Sequence, residues 1–162
     1  MNRFAVGAIA MSAFVSVVSA SYAADPIEIK IGYLRRDGVK SMLSLIDQPT
    51  RDDGVAGARL AIEDNNTTGQ FLNQRFTLEE VRLKDGEGPA AAATALADRN
   101  TMFIIADLPA EALVKAADAT RDRGLMFLNA GAIDDRLREE DCRDNVIHTS
   151  PCLLYTSDAA DE

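Results

Sequence analysis

Short apolar stretches with strand character alternate four times with stretches of helical spacing, and this rhythm limits the chain to very few architectures. "IEIKIGYL" (27–34) places Ile27, Ile29, Ile31 and Tyr33 at period two and is rich in β-branched residues, which predicts a strand. "DDGVAGARLAIEDNNTTG" (52–69) predicts a helix opened by Asp52 or Asp53 and closed near residues 66–69. Val55, Ala58 and Ile62 share one face of it, and Arg59 and Glu63 share another at helical spacing. "FTLEEVRL" predicts a second strand. Gly88-Pro89 starts an alanine-rich helix to about Asp98, with proline in the first turn, where its missing N–H costs nothing. "MFIIADL" is apolar almost throughout, as expected of a third strand covered on both faces. "PAEALVKAADATRDRG" predicts a helix with Leu113, Ala116, Ala117 and Thr120 inward and Glu111, Lys115 and Asp118 in water, stopped by Gly124. "LMFLNAGA" predicts a fourth strand, "IDDRLREED" a short polar helix or turn, and "NVIHT" a fifth strand. Such alternation builds an α/β fold: a doubly wound parallel sheet with right-handed crossovers and helices on both faces.

One connection breaks the rhythm. Residues 35–52 are long and polar, and loops of that length in a compact domain are usually functional or family-specific insertions. The N-terminus is also distinct. Arg3 precedes an apolar run of small residues, and Ser21-Tyr22-Ala23 has the small-x-small pattern that a signal peptidase accepts. Residues 1–23 are therefore expected to be a signal peptide, cleaved between Ala23 and Ala24, that sends the protein to the periplasm. The run falls short of the roughly 20 apolar residues of a membrane span, and Ser12, Ser16 and Ser19 dilute it.

The net charge of -9 argues against nucleic-acid binding, which needs a basic face. No G-x-G-x-x-G follows the first strand, and neither a G-x-x-x-x-G-K-[ST] loop nor a G-x-S-x-G elbow occurs. His148 is the single histidine and has no catalytic partner in sequence. Asp134, Asp135, Glu139, Glu140 and Asp141 read as a solvated face, at a spacing that matches no calcium loop. These absences predict no catalytic site, no metal and no cofactor, and disfavour an exported flavodoxin-like enzyme.

A binding architecture remains. In a doubly wound sheet, ligands sit outside the carboxyl ends of the strands, here 34–37, 85–88, 106–110 and 129–133. "ADLPAEA" leads from a buried strand into a helix N-terminus, which presents unpaired backbone N–H groups. "NAGA" supplies a second loop with little side-chain bulk. The candidate cleft wall is Leu34, Arg35, Asp107, Leu108, Pro109, Ala110, Asn129, Ala130, Gly131, Ala132 and Ile133. The plain alternative is that Gly131 and its flanking alanines only turn the chain.

"DGVAGARLAIEDNNTTG", "VRLKDGEGPAAAATALADR" and "FIIADLPAEALVKAADATRDRGLMFLNAGAIDDRL" resemble the type I periplasmic solute-binding proteins of the branched-chain amino acid type, over residues 27–151. The most specific part is "GARLAIEDNN". "IGYLRRDG", "LSLIDQP", "EVRLKDG", "ADLPAEAL" and "EDCRDNVIHTSP" are similar to one subgroup, which accompanies pyrroloquinoline-quinone-dependent alcohol dehydrogenase systems. The resemblance implies a ligand held between two lobes and handed to ABC transporter membrane subunits or to alcohol dehydrogenase components. Amino-acid-binding relatives carry a serine and a threonine where this chain has Ala110 and Ile133. Each lost hydroxyl removes a hydrogen bond that nets roughly 0.5–1.5 kcal/mol, and Asp107 would repel a carboxylate. The expected ligand is thus small and polar but not a free amino acid. A sensory or interaction protein with a vestigial cleft is the alternative.

The resemblance also implies that residues 24–151 form only part of the first lobe, with some apolar surface left uncovered and marginal stability as the result. The ending "CLLYTSDAADE" (152–162) is what a transposase-based sequencing adapter encodes in one frame, so it is expected not to be native. Cys152 then leaves the cysteine count, and Cys142 is expected to be free or paired elsewhere.

Overall fold

A computed structural model describes residues 25–36, 52–84 and 86–149. The expected signal segment, nearly all of the 35–52 connection, and residues 150–162 lie outside the described residues. Among the described residues five strands form one sheet: β1 (Ile27–Arg36), β2 (Gln74–Leu83), β3 (Phe103–Asp107), β4 (Met126–Asn129) and β5 (Val146–His148). Their order is β2-β1-β3-β4-β5, and every pairing is parallel. Three α-helices connect them: α1 (Asp53–Gly69), α2 (Pro89–Asp98) and α3 (Ala110–Ala119). Short 3-10 turns follow α1 and α3, and the polar segment before β5 is a further 3-10 turn, Asp135–Arg138.

The two sheet faces follow from the register. Tyr33, Ile105, Leu128 and Ile147 form one row across β1, β3, β4 and β5, and Leu34, Ala106, Asn129 and His148 form the row on the other side. On the Leu34 side, Ile104, Ala106 and Phe127 are fully buried with Leu96 of α2 and with Leu113, Ala116 and Ala117 of α3. On the Tyr33 side, α1 lays Val55 and Ala58 on Tyr33, with Leu78 and Ile105 beside them. Helices therefore cover both faces, but unequally. Among the described residues α1 covers Ile105 but leaves the rest of this face open toward β5, where Phe103 is 38% and Ile147 50% exposed.

The helix boundaries fall where the sequence spacing places them, and two side-chain contacts lie outside what it shows. Asp52 stands at the N-cap of α1 but makes no capping bond, because its carboxylate instead meets the Arg35 guanidinium at 2.7 Å. Arg59 does not use Glu63, one turn away. It reaches Glu80 of β2 with two bonds of 2.6 and 2.7 Å, a two-pronged fit of guanidinium to carboxylate. On α3, Leu113, Ala116, Ala117 and Thr120 are buried, and Glu111, Lys115 and Asp118 are exposed, as the spacing predicts.

Candidate functional site

The strand order reverses direction between β1 and β3, which lie side by side although β2 comes between them in sequence. Their carboxyl ends meet the loops 107–110 and 129–133, and this edge is where such sheets hold ligands. Arg35 and Asp107 are register partners there. Arg35, half-buried, is tied to Asp52. Asp107 receives a hydrogen bond from the Tyr33 hydroxyl at 3.3 Å. Burial pushes the Tyr33 phenol up to about 12, helped by the charge of Asp107 and by that bond, while Arg35 acts in the opposite sense.

Gly131 joins the two loops. A Cβ at this position would stand 2.8 Å from Asp107 Oδ1 and 2.9 Å from the Leu108 backbone nitrogen. The glycine is required by close approach of "NAGA" to "ADLP", rather than by a special backbone angle. Gly54, in the first turn of α1, plays a similar part below, since a Cβ there would meet the Tyr33 hydroxyl at 2.1 Å.

The "NAGA" loop is held from beneath by Asn129, which is fully buried. Its Oδ1 accepts from the Ala132 N–H at 2.9 Å, and its Nδ2 donates to the Ala132 carbonyl at 2.7 Å. His148 Nδ1 lies 3.0 Å from the same Nδ2. The histidine that looked isolated in sequence is thus a neighbour of the loop. Burial lowers its pKa, Arg138 lowers it further, and the Leu137 backbone acts the other way.

The structure brings together Arg35, Asp107, Leu108, Pro109, Ala110, Asn129, Ala130, Gly131 and Ala132 at one edge. Pro109, Ala130, Gly131 and Ile133 are exposed, whereas Leu108, Ala110 and Ala132 are buried beneath them. Leu34 is fully buried in the larger core, so it supports the edge by packing. Pro109 caps α3 without a side-chain bond, which leaves the first-turn N–H groups uncapped by any side chain. Tyr33, Asp52, Gly54 and His148 were not among the residues expected here. Tyr33 carried only a period-two signal, and the other three contribute through contacts distant in sequence.

Among the described residues no three His, Cys, Asp or Glu side chains are placed to hold a metal ion. No described helix is long and apolar enough to cross a membrane. Cys142 is exposed and unpaired among the described residues, and Cys152 lies outside them.

A five-stranded parallel sheet in the order β2-β1-β3-β4-β5, with helices on both faces, defines the class as a doubly wound α/β fold. Comparison with solved structures narrows this to the type I periplasmic binding protein fold. The branched-chain amino acid transporter substrate-binding protein of Streptococcus pneumoniae, in complex with isoleucine, superposes with a TM-score of 0.58 at 17% identity, over 76% of this chain and 34% of that one. An ABC transporter substrate-binding protein from Desulfitobacterium hafniense gives 0.59 at 20% identity, over 77% and 34%. Another from that organism, in complex with leucine, gives 0.57 at 19%, over 82% and 39%. The chain thus spans only 34% to 39% of the length of these structures. No family model matches the sequence, and no curated protein matches it.

Proposed function

We propose that this chain forms one lobe of an exported, periplasmic solute-binding protein of an ABC-type uptake system, with its ligand held between this lobe and a second one. The observation that carries the proposal is the junction of the two loops at Gly131, beside the N-terminus of α3, where no side chain makes a capping hydrogen bond. That junction sets the small residues Ala130 and Gly131 beside backbone N–H groups that a polar ligand can use. The solved structures of this fold named above, two of them complexes with isoleucine or leucine, support a binding role over a catalytic one.

The ligand class differs from a free amino acid. Ala110 and Ile133 carry no hydroxyl, and the Asp107 carboxylate stands at the same edge, 3.3 Å from the Tyr33 hydroxyl. A ligand carboxylate placed on the α3 N-terminus would have Asp107 as a like-charged neighbour. We propose a small polar ligand drawn from alcohol oxidation: an alcohol, its derived acid bound away from Asp107, or the quinone cofactor as cargo. The resemblance of "IGYLRRDG", "EVRLKDG" and "ADLPAEAL" to proteins of quinone-dependent alcohol dehydrogenase systems supports that choice.

Thermal shift of the full-length protein tests it, with leucine, isoleucine, pyrroloquinoline quinone, short alcohols and their acids as probes. A binder of the proposed class raises the midpoint as its concentration passes the dissociation constant, and leucine does not. A shift with leucine alone overturns the ligand class. No shift with any probe overturns the transport reading in favour of an interaction protein with a vestigial cleft.

A further inference from the structure

His148 and Asn129 are register partners on β5 and β4, so their side chains leave the same sheet face at the edge that carries the 129–132 loop. Asn129 Oδ1 is committed to the Ala132 N–H at 2.9 Å. That fixes which end of the amide faces the histidine. The NH2 group can only donate, so His148 Nδ1, 3.0 Å away, has to accept. The proton of the neutral ring therefore sits on Nε2, which is buried without a hydrogen-bond partner among the described residues. Protonating the ring puts N–H groups on both nitrogens. Two donors then face each other at 3.0 Å, and the Leu137 backbone hydrogen bond returns less to the cation than burial and Arg138 take from it.

We propose that neutral His148 latches Asn129, and through it the 129–132 loop, and that protonation of His148 releases the latch. The groups around the ring favour the neutral form. Arg138 faces it from the 3-10 turn and the uncharged Asn129 amide from β4, and among the described residues no carboxylate contributes to its titration. Burial and the Arg138 charge set the ring's pKa below the usual 6.5, against a smaller opposing effect of the Leu137 backbone. The sign follows. The latch is complete above the ordinary histidine range, and it is lost as pH falls through the depressed folded value. The consequence for ligand affinity rests on the binding reading above; the latch itself is a property of this lobe without ligand.

Nuclear magnetic resonance on the full chain tests the latch directly, because the sequence contains one histidine. The ring signal and the Ala132 amide are followed together from about pH 8 to about pH 5, across the histidine range. The expected result is one shared midpoint, with protection of the Ala132 amide falling roughly two- to tenfold on protonation. His148→Gln keeps an oxygen acceptor and cannot titrate, so its Ala132 amide is expected to stay protected and flat over the same range. An Ala132 amide that ignores the histidine titration overturns the proposal, as does one that still titrates in His148→Gln. Should that variant fail to fold, the wild-type titration alone decides. Failure to find a ligand leaves this outcome untouched, since it is read in the ligand-free chain.

Discussion

Asn66 commits both ends of its side-chain amide to one residue of an edge strand. Its Nδ2 donates to the Phe76 carbonyl at 2.9 Å, and its Oδ1 accepts from the Phe76 N–H at 2.8 Å. Among the described strands β2 has no neighbour on that side, so the α1 asparagine satisfies backbone groups that a further strand would otherwise pair. Asn66→Ala is expected to cost about 1–2 kcal/mol, two hydrogen bonds in a partly buried setting, read as a lowered urea midpoint at unchanged slope. Tyr33 makes a second prediction at this scale. Its folded pKa stands at about 12 against an ordinary 10.0, so its contribution is complete below pH 10 and is lost as pH rises through the folded value. A phenolate absorbance titration should show one tyrosine ionising late, and Tyr33→Phe should remove that late step. The stability of the wild type should also fall more steeply than that of Tyr33→Phe between these two values. Both residues sat inside recognisable sequence, Asn66 in "GARLAIEDNN" and Tyr33 in the first strand. Their partners did not, because Asp107 lies 74 residues beyond Tyr33 and no local period connects them.

Strands and helices were legible because each alternation carried its own period and its own punctuation. Pro89 and Gly124 bound helical segments as their chemistry requires, with Gly124 at a positive φ of 67° after the 3-10 turn that follows α3. Contacts between elements were less legible. Helical spacing put Arg59 on a face with Glu63, yet Arg59 bonds Glu80; Asp52 or Asp53 was expected to open α1, and Asp52 bonds Arg35. In both cases a guanidinium found a carboxylate on another element, a geometry that no window of sequence contains. The meeting of the loops at Gly131 belongs to this scale too. Gly131→Ala drives a methyl to 2.8 Å from Asp107 Oδ1 and 2.9 Å from the Leu108 nitrogen, and the second of these is backbone that cannot swing aside. The substitution is expected to destabilise by about 1–3 kcal/mol, as overpacking does. Amide shifts should change at residues 107–110 as well as at 130–132, while α1 and β2 keep theirs. Changes confined to 130–132 would mean that the loops do not rest on each other.

At the scale of the whole molecule, the described residues form two unequal cores on opposite sides of one sheet, and the inequality was only half visible beforehand. "MFIIADL" is apolar as if covered on both faces, and on the α2–α3 side Ile104 and Ala106 are indeed fully buried. On the α1 side the helix reaches Tyr33 and Ile105 but leaves Phe103 and Ile147 exposed, with Met126 and Leu128 half-buried between them. A strip of apolar side chains on three adjacent strands is the kind of contiguous patch that soluble surfaces rarely leave open. The apolar pattern therefore records a demand for cover that the described residues meet on one face only. The full chain is accordingly expected to bind 8-anilinonaphthalene-1-sulfonate in its folded state and to self-associate weakly. Phe103→Thr with Ile147→Thr removes the two most exposed members of the strip while keeping β-branched residues suited to a strand. In that double variant, dye fluorescence and the apparent mass by light scattering should both fall, with the far-ultraviolet circular dichroism unchanged. Equal dye binding by the parent and a well-folded double variant would place the sticky surface elsewhere. The open half of the sheet would then be no reason for marginal stability.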